Sequence, residues 1–154
     1  MAFACGRGPR LTPVVDGVMP LIEEERLVHL GSRALDEAER EAMGSSQMKM
    51  ASTSRLKRTG VGRESGDAAK WLADRCDWII CHLDVDVLDP SWMPSVNYPT
   101  KNGLTPGEVV TILRSIARTG KVAVLDVAAY NAELDRDGRS AGVVADILSR
   151  SFLD

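Results

Sequence analysis

Three cysteines, Cys5, Cys76 and Cys81, offer neither a paired count nor zinc-type spacing, which argues against a disulfide framework and a zinc knuckle. Reduced thiols in a cytoplasmic protein are the expectation. No apolar run approaches the ~20 residues that span a bilayer. The first dozen residues, MAFACGRGPRLT, also lack the apolar core of a signal peptide. A strong charge of one sign is missing too: a net charge of −3 gives no general pull toward nucleic acid or an anionic membrane. The basic cluster Arg55, Lys57 and Arg58 has no aromatic residues interleaved with it and reads as a solvated loop. Long linkers and internal repeats are absent, so a single domain over 1–154 is expected.

What is present is an alternation of short apolar runs with helical patterns. ERLVHLGS (25–32) reads as a buried strand. LDEAEREAM follows, with Asp36 and Glu39 spaced as a capping box for a short helix. QMKMASTSRLKRTGVGRESG is polar and basic and reads as a short strand followed by a loop. Asp67 is placed to cap a helix through AAKWLADRC, with Ala68, Leu72 and Cys76 on one face. DWIICHLDVD reads as a strand buried on both faces.

Further on, TPGE (105–108) has Thr at the cap, Pro in the first helical position and Glu at the third, a strong helix start. Val109, Ile112, Leu113 and Ile116 form an apolar stripe that ends before Gly120. KVAVLDVAAY reads as another buried strand, and Ser140 opens a last helix. Strands alternating with helices predict an α/β domain with a mainly parallel sheet, whose ligands gather at the carboxyl ends of the strands.

The stretch CHLDVDVLDPSW places Asp84, Asp86 and Asp89 directly after an apolar run. Side chains alternate along a strand, which would put His82, Asp84 and Asp86 on one face, neighbours ~6.5–7 Å apart. Carboxylates that close, partly buried, must take up a proton, pair with a cation or bind a metal. Carboxylates with an imidazole nearby suit Mn²⁺ or Mg²⁺. The plainer alternative makes Asp89 a turn cap before Pro90 and leaves Asp84 and Asp86 in ordinary ion pairs. An EF-hand fails, because its sixth and twelfth positions would be Asp89 and Ser95 instead of Gly and Glu. The D-x-D-x-V pattern also suits a metal-dependent phosphohydrolase, with Asp84 as nucleophile, but no later G-D-x-x-x-D accompanies it.

Read onward, LDVDVLDPSWMPSVNYPTKNGLTPGEV resembles the signature of the ureohydrolases, the arginase and agmatinase family. GRGPRLTP, ERLVHLGSR, LDVAAYNAELD and DGRSAGVVADIL look like consecutive segments of bacterial arginase-like proteins. The resemblance implies a three-layer α/β/α fold, of which this chain is the C-terminal part, so the fold is expected to be incomplete. It implies a binuclear Mn²⁺ site that hydrolyses a guanidino C–N bond, with Asp84 and Asp86 as metal ligands. His82 and Asp126 are the next candidates, as ligands or as hydrogen-bond partners of ligands. A small guanidino substrate and a homo-oligomer or complementing chain are the implied partners.

The pattern departs from the family in three places. The Gly-Gly-Asp-His and Asp-Ala-His-x-Asp segments that supply the other ligands do not occur, and the histidines are His29 and His82 alone. Ala129 and Ala132 stand where the family has the Glu and Pro of its later motif, while Asp126 and Asn131 match. His82 replaces a Ser, and Asn97 and Tyr98 are expected to crowd the substrate mouth. His29 reads as a core histidine, and Trp71, Trp78 and Trp92 as packing residues, with Trp92 able to line a pocket. Two functions follow as expectations: a partial or diverged amidine hydrolase, or an inactive family member with a structural or regulatory role.

Overall fold

A computed structural model describes residues 4–7 and 20–153; most of the GRGPRLTP segment lies outside them. The described chain runs β1 (Val28–Ser32), α1 (Glu37–Gly44), β2 (Lys49–Ser52), α2 (Thr53–Thr59), α3 (Val61–Ala73), β3 (Ile79–Asp84), α4 (Pro106–Ala117), β4 (Val122–Ala128) and α5 (Arg139–Phe152). β1 pairs with β2 and β3 with β4, both in parallel, as two separate two-stranded sheets.

Local sequence explains most of the starts and stops. Asp36 accepts the Glu39 amide at 2.7 Å while the Glu39 side chain accepts the Asp36 amide at 3.0 Å, closing the capping box of α1. Thr105 and Glu108 do the same for α4, with Pro106 at its first position. Gly120, at φ +68, lies just beyond the end of α4 and turns the chain into β4. The last helix starts at Arg139 behind a left-handed Gly138, one position before the expected Ser140.

Two expectations need correction here. The basic stretch read as a loop is the helix α2, because Ser52 accepts the Arg55 amide at 3.3 Å and opens a turn directly from β2. Asp67 is not a cap but an interior residue of α3. That helix begins at Val61, where Glu64 accepts from Thr59 Oγ1 at 2.8 Å and from Arg55 Nε at 3.1 Å, tying its first turn to α2.

Burial corrects a third. Ile79, Cys81 and Leu83 of β3 are buried, whereas Ile80 is 70% exposed and Trp78, just before the strand, is 73% exposed. β4 was also expected to be buried, yet none of its residues is fully so. The cause is that Ile79, Cys81 and Leu83 join one apolar cluster with Leu72 of α3, Val109, Leu113 and Ile116 of α4, and Ile147 of α5. The described residues set no second layer against the opposite face, so β3 alternates between buried and exposed residues and β4 stays partly exposed along its length. The parallel α/β arrangement is therefore present in the incomplete form expected of it.

One glycine and one alanine hold the loops that follow the strands. Gly103 lies so close to the acidic loop that a Cβ on it would sit 2.3 Å from the Asp89 nitrogen and 2.4 Å from the Leu88 carbonyl carbon. Leu104 N donates to Val87 O and Asp89 N to Leu104 O, both at 2.9 Å, so the two backbone runs are bonded side by side. Ala129 takes φ +67 just past β4. For an L-residue that conformation costs about 1–2 kcal/mol.

Gly103→Ala should destabilise the protein by about 1–3 kcal/mol, since backbone atoms cannot yield as a side-chain tip can. Gly107→Ala, which meets nothing within 4 Å, should not lower stability. Urea denaturation of the two variants is the check. In the same assay Ala129→Gly should gain ~0.5–1 kcal/mol, the relieved strain being partly offset by the freer unfolded chain.

Candidate functional site

β3 ends at Asp84, and residues Val85–Val87 form a 3-10 turn. Asp84 Oδ1 accepts the Asp86 amide at 3.1 Å and so caps that turn. The strand alternation that would align His82, Asp84 and Asp86 therefore reaches only Asp84. Asp86 comes back to it through the turn instead. The two carboxyls remain coupled: burial first, and the Asp84 charge second, raise the Asp86 pKa above its ordinary value. The Arg33 guanidinium works in the opposite sense.

Arg33 is the residue that sequence reasoning missed. It follows β1 and donates to the Asp86 backbone carbonyl and, at 3.2 and 3.3 Å, to the Thr100 carbonyl. A guanidinium offers several donors in a fixed fork, so one side chain ties the end of β1 to the turn and to the loop beyond it. The available signal was an Arg directly after the LGS strand end, but carbonyl partners leave no trace in a sequence.

Asp89 takes the plainer role. It accepts from Ser91 N at 3.1 Å, Ser91 Oγ at 2.7 Å and Gly103 N at 3.2 Å, and these bonds lower its pKa. It shapes the loop. His82 stands opposite Asp126 in the β3–β4 register, and its Nδ1 lies 2.7 Å from Asp126 Oδ2. The pair sits on the exposed face of the sheet, so both residues are half-open to solvent. Nδ1 is thereby committed to a carboxylate, which leaves Nε2 as the nitrogen free for another partner.

The loop carrying Asn97 is fastened to the end of β4. Asn131 Nδ2 donates to Asn97 Oδ1 at 2.7 Å, Asn131 N donates to Ser95 O at 2.9 Å, and Ser140 Oγ bonds Ser95 Oγ at 2.8 Å. Tyr98, expected to crowd the mouth of the site, is 81% exposed. Trp92 is half-exposed, and Trp71 stacks under the Arg75 guanidinium at 3.5 Å. His29 is partly buried in β1, and that burial lowers its pKa. All three cysteines are free, and burial pushes the Cys81 thiol up to about 11.

These positions decide how far the donor set goes. Among the described residues no group of three or more His, Cys, Asp or Glu side chains could hold a metal ion. Asp84 and Asp86 supply two carboxyls at one strand end, and the His82–Asp126 pair is engaged with itself. A metal cage needs more donors than that, so the described residues do not by themselves fit a resident metal.

The comparisons agree with the ordered segments seen in the sequence. A sequence model of the arginase family matches residues 10–153. The arginase of Bacillus caldovelox is 28% identical over 152 residues, which are 99% of this chain and 51% of that protein. Its native structure superposes with a TM-score of 0.91 at 27% identity over the same shares of each chain. The arginase of Coccidioides posadasii is 33% identical over 125 residues, 81% of this chain and 38% of that one. A formimidoylglutamase of Aeromonas hydrophila is 38% identical over 71 residues, 46% of this chain and 23% of that one. The chain thus spans about half the length, or less, of the curated relatives it matches, which are hydrolases. The family match runs from before β1 to the end of α5, and the chain belongs to the arginase family.

Proposed function

We propose that this chain contributes part of the active site of a metal-dependent hydrolase of linear amidines, cleaving a guanidino C–N bond. Asp84 and Asp86 are its metal-binding carboxylates, serving a manganese centre whose remaining donors come from elsewhere. The observation that carries this reading is the coupled carboxyl pair at the carboxyl end of β3, in a chain of arginase ancestry. That edge is where open α/β sheets bind ligands. His82 and Asp126 support the site from the same open face of the sheet as Asp84, and Arg33 holds the turn that carries Asp86. The setting is cytoplasmic in this reading, in keeping with three free thiols. No helix among the described residues is long and apolar enough to cross a membrane.

A second reading makes the chain an inactive family member with a structural or regulatory role. Ala129 favours it. The position where the resemblance calls for a Glu to grip the guanidinium carries a methyl group. A lost charge-assisted bond of that kind costs about 1.5–3 kcal/mol of substrate binding. The phosphohydrolase alternative has no observation in its favour.

Two measurements test the proposal. Calorimetric titration of Mn²⁺ should show weak binding to the isolated chain, lost in Asp84→Asn/Asp86→Asn. Tight binding of two ions, or the same isotherm for both proteins, contradicts it. The purified chain with added Mn²⁺ should release no urea from arginine or agmatine, and Ala129→Glu should not restore release. Metal-dependent turnover abolished by Asp86→Asn would show that the chain is sufficient by itself.

A further inference from the structure

Charge is not spread evenly over the described surface. A cleft of about 660 Å³ lies past the carboxyl ends of β1 and β2, bordered by residues 100–102 of the loop before α4. Arg33 follows β1, Arg40 stands on α1, Lys57 on α2 and Lys101 on that loop, and all four line the cleft. Ser52 and Ser54 line it too, where β2 passes into α2. Among the described residues no Asp or Glu does. In a chain of net charge −3, four cations drawn from four segments with no acid between them reverse the sign locally.

The bonds these cations make leave their charge in place. Arg33 donates to the carbonyls of Asp86 and Thr100, Arg40 Nη2 to Leu35 O at 3.1 Å, and Lys57 Nζ to Gly103 O at 2.6 Å. Among the described residues none of the four, Lys101 included, forms an ion pair. A carbonyl oxygen carries a partial charge only, so it orients a cation without cancelling it. Arg55, from the same basic stretch as Lys57, behaves differently: it pairs with Glu64 at 3.1 Å and stays out of the cleft. Like charges held around one opening repel, and a bound anion removes that cost.

The serines add donors. Ser52 Oγ accepts the Arg55 amide at 3.3 Å and lies 3.0 Å from Ser54 Oγ. Two hydroxyls carry two protons and spend one between them, so the pair keeps one O–H for a ligand.

We propose that this cleft binds a phosphoryl dianion, free or carried by a small molecule, through Arg40, Lys57, Lys101 and the serine hydroxyls. A phosphoryl group brings a charge of about −1.5 to −2 and three strong acceptor oxygens, so it engages several cations and a hydroxyl at once. A carboxylate brings one charge and two oxygens, and would leave most of this donor set unused. Arg33, already bonded to two carbonyls, forms the wall and adds to the positive field. The proposal does not rest on the hydrolase reading, because Asp84, Asp86, His82 and Asp126 do not line the cleft.

The test titrates the full chain with inorganic phosphate, with glycerol 3-phosphate and with succinate, read by calorimetry and by amide NMR shifts. The two phosphates should bind one-to-one, with shifts gathered at Ser32, Ser54 and Lys101, and succinate should bind more weakly. Arg40→Gln and Lys101→Gln, both at exposed positions, should each weaken phosphate binding about tenfold. Arg58→Gln removes the same charge outside the cleft and should leave the affinity within about twofold. Tighter binding of the ester assigns the site to a phosphorylated small molecule, and equal binding assigns it to free phosphate; either upholds the proposal. No saturable binding of phosphate or ester, succinate bound as tightly, shifts elsewhere on the chain, or an equal loss in Arg58→Gln overturns it. The shift pattern of the unmodified chain decides even if a variant does not fold.

Discussion

A strand in a sheet has two edges of hydrogen-bonding groups, and β3 has a partner along one of them. Much else in this molecule follows from that asymmetry. On the bonded side β4 brings Asp126 opposite His82, and the pair closes at 2.7 Å. On the open side a groove runs to β1, whose far edge is bonded in turn to β2. Buried backbone groups left without partners are costly, because they lose water and gain nothing in exchange. The groove stays open to solvent, which hydrates them.

The same incompleteness governs the faces. Apolar residues of β3 and β4 were written into the sequence as if both sides of the sheet were covered, and one side is. Trp78, Ile80 and Val124 are left at the surface, an apolar patch of the kind that marks an interaction site. Helices α3, α4 and α5 pack the other face into a well-formed core that includes fully buried Leu56, Leu104 and Ile147.

The acidic loop shows how one motif divides into different duties. Asp84 caps the turn, Asp86 is coupled to it, and Asp89 binds Ser91 and Gly103. Gly103 matters because the returning backbone lies against Leu88 and Asp89 with no room for a Cβ. Arg33 then joins the loop to β1 through carbonyl oxygens, so the position of Asp86 depends on a strand distant in sequence. A site of this construction is placed by backbone bonds before any ligand takes part.

The sequence by itself determined the local features. The capping boxes at Asp36 and Thr105, the presence of β3 and β4 and the family signature through Asp84 and Asp86 depend on residues a few positions apart. It misplaced the start of α3 and read α2 as a loop, because a side chain such as Glu64 can anchor a helix turn that local pattern does not announce. Only the tertiary structure decided the rest: that His82 meets Asp126, that Asp86 leaves the strand alignment, that Arg33 holds the turn, and that β1 and β3 face each other across a groove. Each is a meeting of residues tens of positions apart, fixed by strand register and packing. A run of apolar residues tells how much burial a strand is built for, but not whether the neighbour that buries it is present.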